Sequence, residues 1–166
     1  MFRAAIITLS DKGARGERED VSGQVIEDIL KENGFSVVER LLLSDDPQPL
    51  TEALVAISDA NRADLILTTG GTGFAPRDHA PEATMEAIER PVPGIPEAMR
   101  YYSLQITPRG MLSRGVAGIR KATLIVNLPG SPKAVRENLT PILPALTHGL
   151  QMLVGTMNEC AVNAKD

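Results

Sequence analysis

The sequence predicts an α/β fold, one domain with a mostly parallel central sheet. Short apolar runs of strand length alternate with stretches of helical periodicity, the pattern of repeated strand–helix units. The runs at 3–8 (RAAIIT) and 64–69 (DLILTT) hold consecutive apolar residues, AAII and LIL, as strands covered on both faces require. Glycine, proline and capping residues punctuate the chain where each run ends.

Taken in order, residues 3–8 are the first strand. Asp20 is placed to N-cap a helix whose Val21, Val25, Ile26, Ile29 and Leu30 share one face, and Gly34 ends it just past the C-cap. Residues 35–43 (FSVVERLLL) suit a second strand, after which Leu50, Leu54 and Ile57 recur at helical spacing. Residues 64–69 form the third strand. Pro81 fits the first position of a helix that continues through Glu82 and Glu86. Residues 91–96 (PVPGIP) are expected to be irregular, with a helix following through Glu97, Met99, Tyr102 and Leu104. Residues 116–119 and 122–128 read as two strands around a charged turn at Arg120 and Lys121. Ser131 caps a helix beginning at Pro132, and Thr140 with Pro141 is expected to restart a last helix carrying Leu146, Leu150 and Leu153. A chain of 166 residues suits one domain, expected over 1–155 with a loose tail at 156–166.

Composition narrows the function. A net charge of −4 without long like-charge blocks disfavours nucleic acid and anionic membrane as bulk partners. There is no Trp, with three Phe and two Tyr, which leaves few rings for stacking on bases. The single cysteine, Cys160, permits no disulfide within the chain and fits a reducing compartment. The N-terminal apolar run is too short for a signal sequence or a membrane span, so the expected location is cytoplasmic.

In open α/β sheets ligands bind beyond the carboxyl ends of the strands, which makes the loops after strands informative. The first, 9–20 (LSDKGARGERED), is long and carries Ser10 and Asp11 nearest the strand end. The second, 44–49 (SDDPQP), offers Asp45 and Asp46, which suit either helix capping or Mg²⁺ held through one or two oxygens. The third, 68–81 (TTGGTGFAPRDHAP), brings Gly70, Gly71, Thr72 and Gly73, a tight turn or an anion-binding nest of backbone N–H groups. It is not a Walker A loop, because no Gly-Lys-Ser/Thr follows, and it lacks the third glycine of a dinucleotide fingerprint. Arg77 in the same loop can bind phosphate or fix a carboxylate, while Asp78 is an acid or a helix cap. His79 and His148 are the only histidines, so a histidine metal site is not expected. The fourth, 127–133 (NLPGSPK), ends in a helix N-terminus whose free N–H groups favour an anion. Two anion-competent loops with aspartates beside them suit phosphoryl-type transfer, which needs positioning and charge more than covalent help. No GxSxG nucleophile elbow occurs.

TTGGTG followed by RD, then PEAT, PGIPEAMR, LSR and NLPGSPKAV, in that order over 4–153, resembles the MogA/MoaB-like family of molybdenum cofactor biosynthesis, most closely its adenylyltransferase branch. The resemblance implies the MogA-like form of the three-layer fold, a homotrimer, and transfer of AMP from Mg-ATP to the terminal phosphate of molybdopterin with release of pyrophosphate. ATP is then a co-substrate, Mg²⁺ the cofactor, and a molybdate-insertion protein receives the product. By the same resemblance Asp45 and Asp78 are the catalytic, Mg²⁺-organising aspartates. Ser10, Asp11, Gly70, Gly71, Thr72, Gly73, Ser113, Arg114, Gly130 and Ser131 belong to the substrate pocket. His79 is expected to matter least. The charge-rich stretch after Asp11 departs from the family pattern. The main alternative is a non-catalytic molybdopterin carrier or scaffold of the same fold, which would bind pterin without affinity for Mg-ATP. A weaker one is a nucleotide pyrophosphatase, which would act without pterin.

Overall fold

In the computed structural model, which describes residues 1–155, the chain runs β1 (Arg3–Leu9), α1 (Asp11–Ala14), α2 (Val21–Glu32), β2 (Ser36–Leu43), α3 (Pro47–Asp59), β3 (Leu65–Thr69), α4 (Ala80–Ala87), β4 (Arg90–Pro91), α5 (Gly94–Leu104), a 3₁₀ turn (Pro108–Leu112), β5 (Ala117–Arg120), β6 (Thr123–Leu128) and α6 (Pro132–Leu153). The expected loose tail lies outside the described residues. The six strands form one sheet in the order β2-β1-β3-β6-β5-β4. The first four are parallel, and β5 and β4 add antiparallel at one edge.

Alternation along each central strand divides the core in two. Ala4 and Ile6 of β1, Leu65 and Leu67 of β3 and Leu124, Val126 and Leu128 of β6 pack with α2, α5 and α6. Ala5, Ile7 and Leu9, with Ile66 and Ile125, face the other way against α3 and α4. The layers are therefore α/β/α. Each Leu or Ile fully withdrawn from water here contributes about 1.5–3 kcal/mol of transfer free energy.

Several boundaries differ from the sequence-based expectation. Thr140 and Pro141 do not restart a helix: α6 continues through both Pro141 and Pro144. Each proline removes one i to i−4 hydrogen bond. The buried face of Val135, Leu139, Ile142, Leu143, Leu146 and Leu150 nevertheless continues unbroken across both, so packing carries the helix past them. Residues 94–96, expected to be irregular, already lie in α5, because Pro96 occupies the first turn, where the missing N–H has no intrahelical partner. The long loop after β1 contains the short helix α1, N-capped by the Ser10 hydroxyl accepting from the Gly13 N–H. Three other helix ends are as expected. Asp20 accepts from the Gly23 N–H, Ser131 accepts from the Ala134 N–H, and Gly34 takes φ +79° just past α2.

Asn127, buried on β6, joins that strand to β3, to α4 and to the segment ahead of β5. Its amide donates to the hydroxyls of Thr68 on β3 and Thr84 on α4, both at 2.9 Å, while its Oδ1 accepts from Val116 N–H ahead of β5 at 3.1 Å. Truncation strands these groups in a dry interior. Asn127→Ala is expected to lower unfolding stability by about 2–4 kcal/mol, read as a fall in the urea midpoint without a change in slope.

Candidate active site at the carboxyl edge of the sheet

Four parallel strands end side by side, so the loops after β2, β1, β3 and β6 share one edge. They surround an open cleft of ≈ 730 Å³. Its wall takes Thr8 and Leu9 from β1, Ser10 and Gly13 from the loop and short helix after it, Leu42 from β2 and Asp45 from the loop that follows, Thr69 from β3, Gly130, Ser131 and Pro132 from the start of α6, and residues 18–22 from the start of α2. Two long helices thus point their N-terminal ends, with the positive end of each dipole, at one space, and Asp20 and Ser131 cap their first turns.

Hydroxyls hold that geometry. Thr69 donates to the Pro129 carbonyl and Ser22 to the Gly130 carbonyl, each at 2.7 Å, so both peptides of the turn before α6 are pinned. The Asp20 carboxylate accepts from Gly23 N–H (2.8 Å), Thr8 Oγ1 (3.0 Å) and Arg40 (3.0 Å), and so fixes the start of α2 against β1. A Cβ on Gly23 would stand 2.1 Å from Asp20 Oδ2, which is why glycine follows Ser22. Arg18 is the only Lys or Arg on the wall among the described residues. Arg18 and Ser22 were not singled out from the sequence, and Asp20 was read only as a cap. The available signal was the charge of the 12–20 loop, which does not say which residue borders the cleft.

Asp45, on the wall, is locked to Asp11 by reciprocal bonds: Asp11 N–H to Asp45 Oδ2 and Asp45 N–H to Asp11 Oδ1, both 3.0 Å. Arg77 then grips Asp11 with two bonds, at 2.6 and 2.9 Å, and reaches Asp46 Oδ1 at 3.1 Å. These bonds from Arg77, followed by the Asp45 N–H, hold the Asp11 carboxyl below the usual carboxylate range, and the Arg77 guanidinium is held correspondingly more basic. With its folded pKa depressed, Asp11 strengthens the clasp at any pH above the ordinary carboxylate value and loses it only as pH falls through the lowered one. The clasp is intact at neutral pH. Asp11, expected in the substrate pocket, is thus engaged within the chain. Asp46 holds the N-cap position of α3 without capping it, and bonds Ser44 and Arg77 instead.

The glycine-rich loop lies outside the cleft wall, beyond Thr69. Gly70 and Gly71 have φ +96° and +66°. A Cβ on Gly70 would meet the Leu9 carbonyl at 2.5 Å, and one on Gly130 would come within 3.3 Å of Gly70 Cα. The two anion-competent loops are therefore in direct contact. Thr72 is buried, and its carbonyl accepts from Arg114 N–H. The Arg114 guanidinium donates to the carbonyls of Gly73 (2.7 Å) and Asp78 (2.6 Å) and pairs with Glu82. Arg114 thus braces the loop, while Ser113 caps the 3₁₀ turn and accepts from Gly115 N–H. Asp78 does not cap α4, whose N-cap is His79. It accepts from Ala75 N–H through Oδ2 at 3.0 Å, closing its own loop.

Among the described residues no three His, Cys, Asp or Glu side chains gather as a metal cage. Mg²⁺ ordinarily takes one or two carboxylates plus substrate phosphates. Asp45 and Asp78 each commit only Oδ2 to the chain. That donor set fits a magnesium ion brought in by a triphosphate.

A sequence profile described as "Probable molybdopterin binding domain" matches residues 5–148. The chain belongs to this family. Among members of the molybdopterin-binding family, it is 38% identical over 163 residues to a molybdopterin adenylyltransferase of Helicobacter pylori, covering 97% of this chain and 92% of that protein. It is 36% identical over 156 residues to the molybdopterin adenylyltransferase of Escherichia coli K12, covering 90% and 80%. The crystal structure of the molybdopterin biosynthesis enzyme MoaB from Thermus thermophilus superposes with a TM-score of 0.88 at 50% identity, covering 93% and 98%. Among the described residues no helix is long and apolar enough to cross a membrane.

Gly70→Ala combines a left-handed φ with a collision against backbone. It is expected to cost about 2–4 kcal/mol in thermal unfolding, while Gly94→Ala, with open space around it, leaves the midpoint nearly unchanged.

Proposed function

We propose that this chain is a molybdopterin adenylyltransferase. An oxygen of the terminal phosphate of molybdopterin attacks the α-phosphorus of ATP. The new O–P bond forms as the bond to the β-phosphate oxygen breaks, and pyrophosphate leaves with that electron pair. The observation that carries the reading is the convergence of two long helix N-termini, Arg18 and Asp45 on one cleft that adjoins the glycine-rich loop bearing Asp78. Such an edge can hold anionic groups of two substrates side by side, which an AMP transfer between phosphates requires. Kinship with proteins named as adenylyltransferases supports the same reading.

Each group then has a task. Ser131 and the start of α6 hold one anionic group, and Arg18 with the start of α2 supplies further positive potential. Gly70, Gly71, Thr72 and Gly73 form the neighbouring surface for phosphate, kept in shape by Arg114. Asp45 and Asp78 are the residues that would hold Mg²⁺, which when bound offsets charge on the triphosphate. The enzyme works in the cytoplasm and hands its product to a molybdate-insertion protein.

A homotrimer is part of the proposal. In the segment 91–99, Met99 is buried in the core, and Val92, Ile95 and Ala98 pack partly against it and keep some exposed apolar area. Tyr101, Ile106 and Met111, exposed by 62%, 53% and 63%, offer apolar area at the end of α5 and in the following turn. Replacing Tyr101 and Met111 together by Glu is expected to shift the mass measured by light scattering from trimer to monomer.

The enzymatic test is pyrophosphate release from Mg-ATP with purified molybdopterin. Asp78→Asn is expected to lower turnover roughly 100-fold while leaving pterin binding within about threefold by calorimetry. A wild-type protein that binds pterin but releases no pyrophosphate above background would rule out the transferase.

A further inference from the structure

One side chain ties together loops from three adjacent strands. Arg77, after β3, donates from Nε to Asp11 Oδ2 (2.6 Å) and from Nη2 to Asp11 Oδ1 (2.9 Å), after β1. The same Nη2 reaches Asp46 Oδ1 (3.1 Å), after β2. Asp11 is in turn locked to Asp45 by two 3.0 Å bonds between carboxylate and backbone N–H. Arg77 is joined to Asp78 by one peptide bond. A continuous path therefore runs from Asp78 through Arg77 and Asp11 to Asp45, the two aspartates that carry the transferase reading.

We propose that Arg77 and Asp11 are positioning residues, which together set the separation and orientation of the Asp45 and Asp78 carboxylates for AMP transfer. The inference rests on the transferase reading. Three features favour positioning over a stabilising or ligand-binding role. The pair is half exposed, with side-chain exposures of 54% and 26%, and ion pairs in that setting add little to global stability. The contact is a two-pronged fork, which fixes the plane of a carboxylate as a lysine ammonium cannot. Both oxygens of Asp11 are already engaged within the chain, which leaves the carboxylate to orient its neighbours.

The test compares Arg77→Ala, Arg77→Lys, Asp11→Asn and the Arg77→Ala/Asp11→Asn double variant with wild type. Three readouts are taken: pyrophosphate release from Mg-ATP and molybdopterin, amide exchange in the segment 43–50, and the thermal midpoint. Arg77→Ala and Asp11→Asn are each expected to lower kcat roughly 10–100-fold, with KM for Mg-ATP held within about threefold. The double variant should be no slower than the worse single one, because the two residues act as one device. Arg77→Lys should recover only a minor part of the loss. Exchange at the Asp45 amide should quicken in Arg77→Ala, with a midpoint within about 2 °C of wild type. A kcat of wild-type size in Arg77→Ala, additive losses in the double variant, or a loss confined to KM would overturn the inference. If wild type itself releases no pyrophosphate, the transferase reading fails. The clasp is then judged by exchange alone, and an Asp45 amide equally protected in wild type and Arg77→Ala overturns it too.

Discussion

The constraint on which the structure depends is the burial of β1, β3 and β6 on both faces. A strand packed between two helical layers leaves no side chain facing water, so polar groups are admitted only where a partner waits. The buried polar residues of these strands meet that condition. Thr8 donates to Asp20, Thr68 accepts from Asn127, Thr69 donates to the Pro129 carbonyl and Thr123 to the Ala63 carbonyl. Three of the four partners lie in a loop or neighbouring strand far along the chain. The strands thus push their polar chemistry to their ends, and those ends organise the loops.

The loops at the carboxyl edge are held largely by capture of their carbonyl oxygens. Ser22 and Thr69 take the two carbonyls before α6, and Arg114 takes those of Gly73 and Asp78. Gly70 lets its loop settle against the Leu9 carbonyl, and Gly130 lets the next loop settle against Gly70. An edge braced in this way suits phosphoryl chemistry, where catalysis comes from preorganised dipoles and charges more than from a reactive side chain. It also explains why charged residues that resemble ligand contacts, such as Arg114 and Asp11, are engaged with the protein itself.

Much of this was legible in the sequence. The apolar runs marked the central strands and their double burial, and Asp20, Gly34 and Ser131 marked helix ends through chemistry confined to one turn. GGTG, RD and NLPGSPK marked the loops and carried the family. Less legible were elements whose form depends on packing. Pro141 and Pro144 carry a local instruction to break a helix, and the buried face of α6 overrides it. The place of Arg18 at the cleft left no signal in a loop where charges of both signs stand together.

By itself, the sequence determined the alternation of strands and helices, the helix ends at Asp20, Gly34 and Ser131, and which loops follow the parallel strands. Those features follow from periodicities of two and 3.6 residues and from bonds spanning three or four positions. Only the tertiary structure decided how the residues pair: Asp11 with Asp45 and Arg77, Arg114 with the glycine-rich loop, Ser22 with Gly130. Each pairing joins residues distant in the chain that meet because adjacent parallel strands end at one edge. No local pattern records which of several nearby charges will face which.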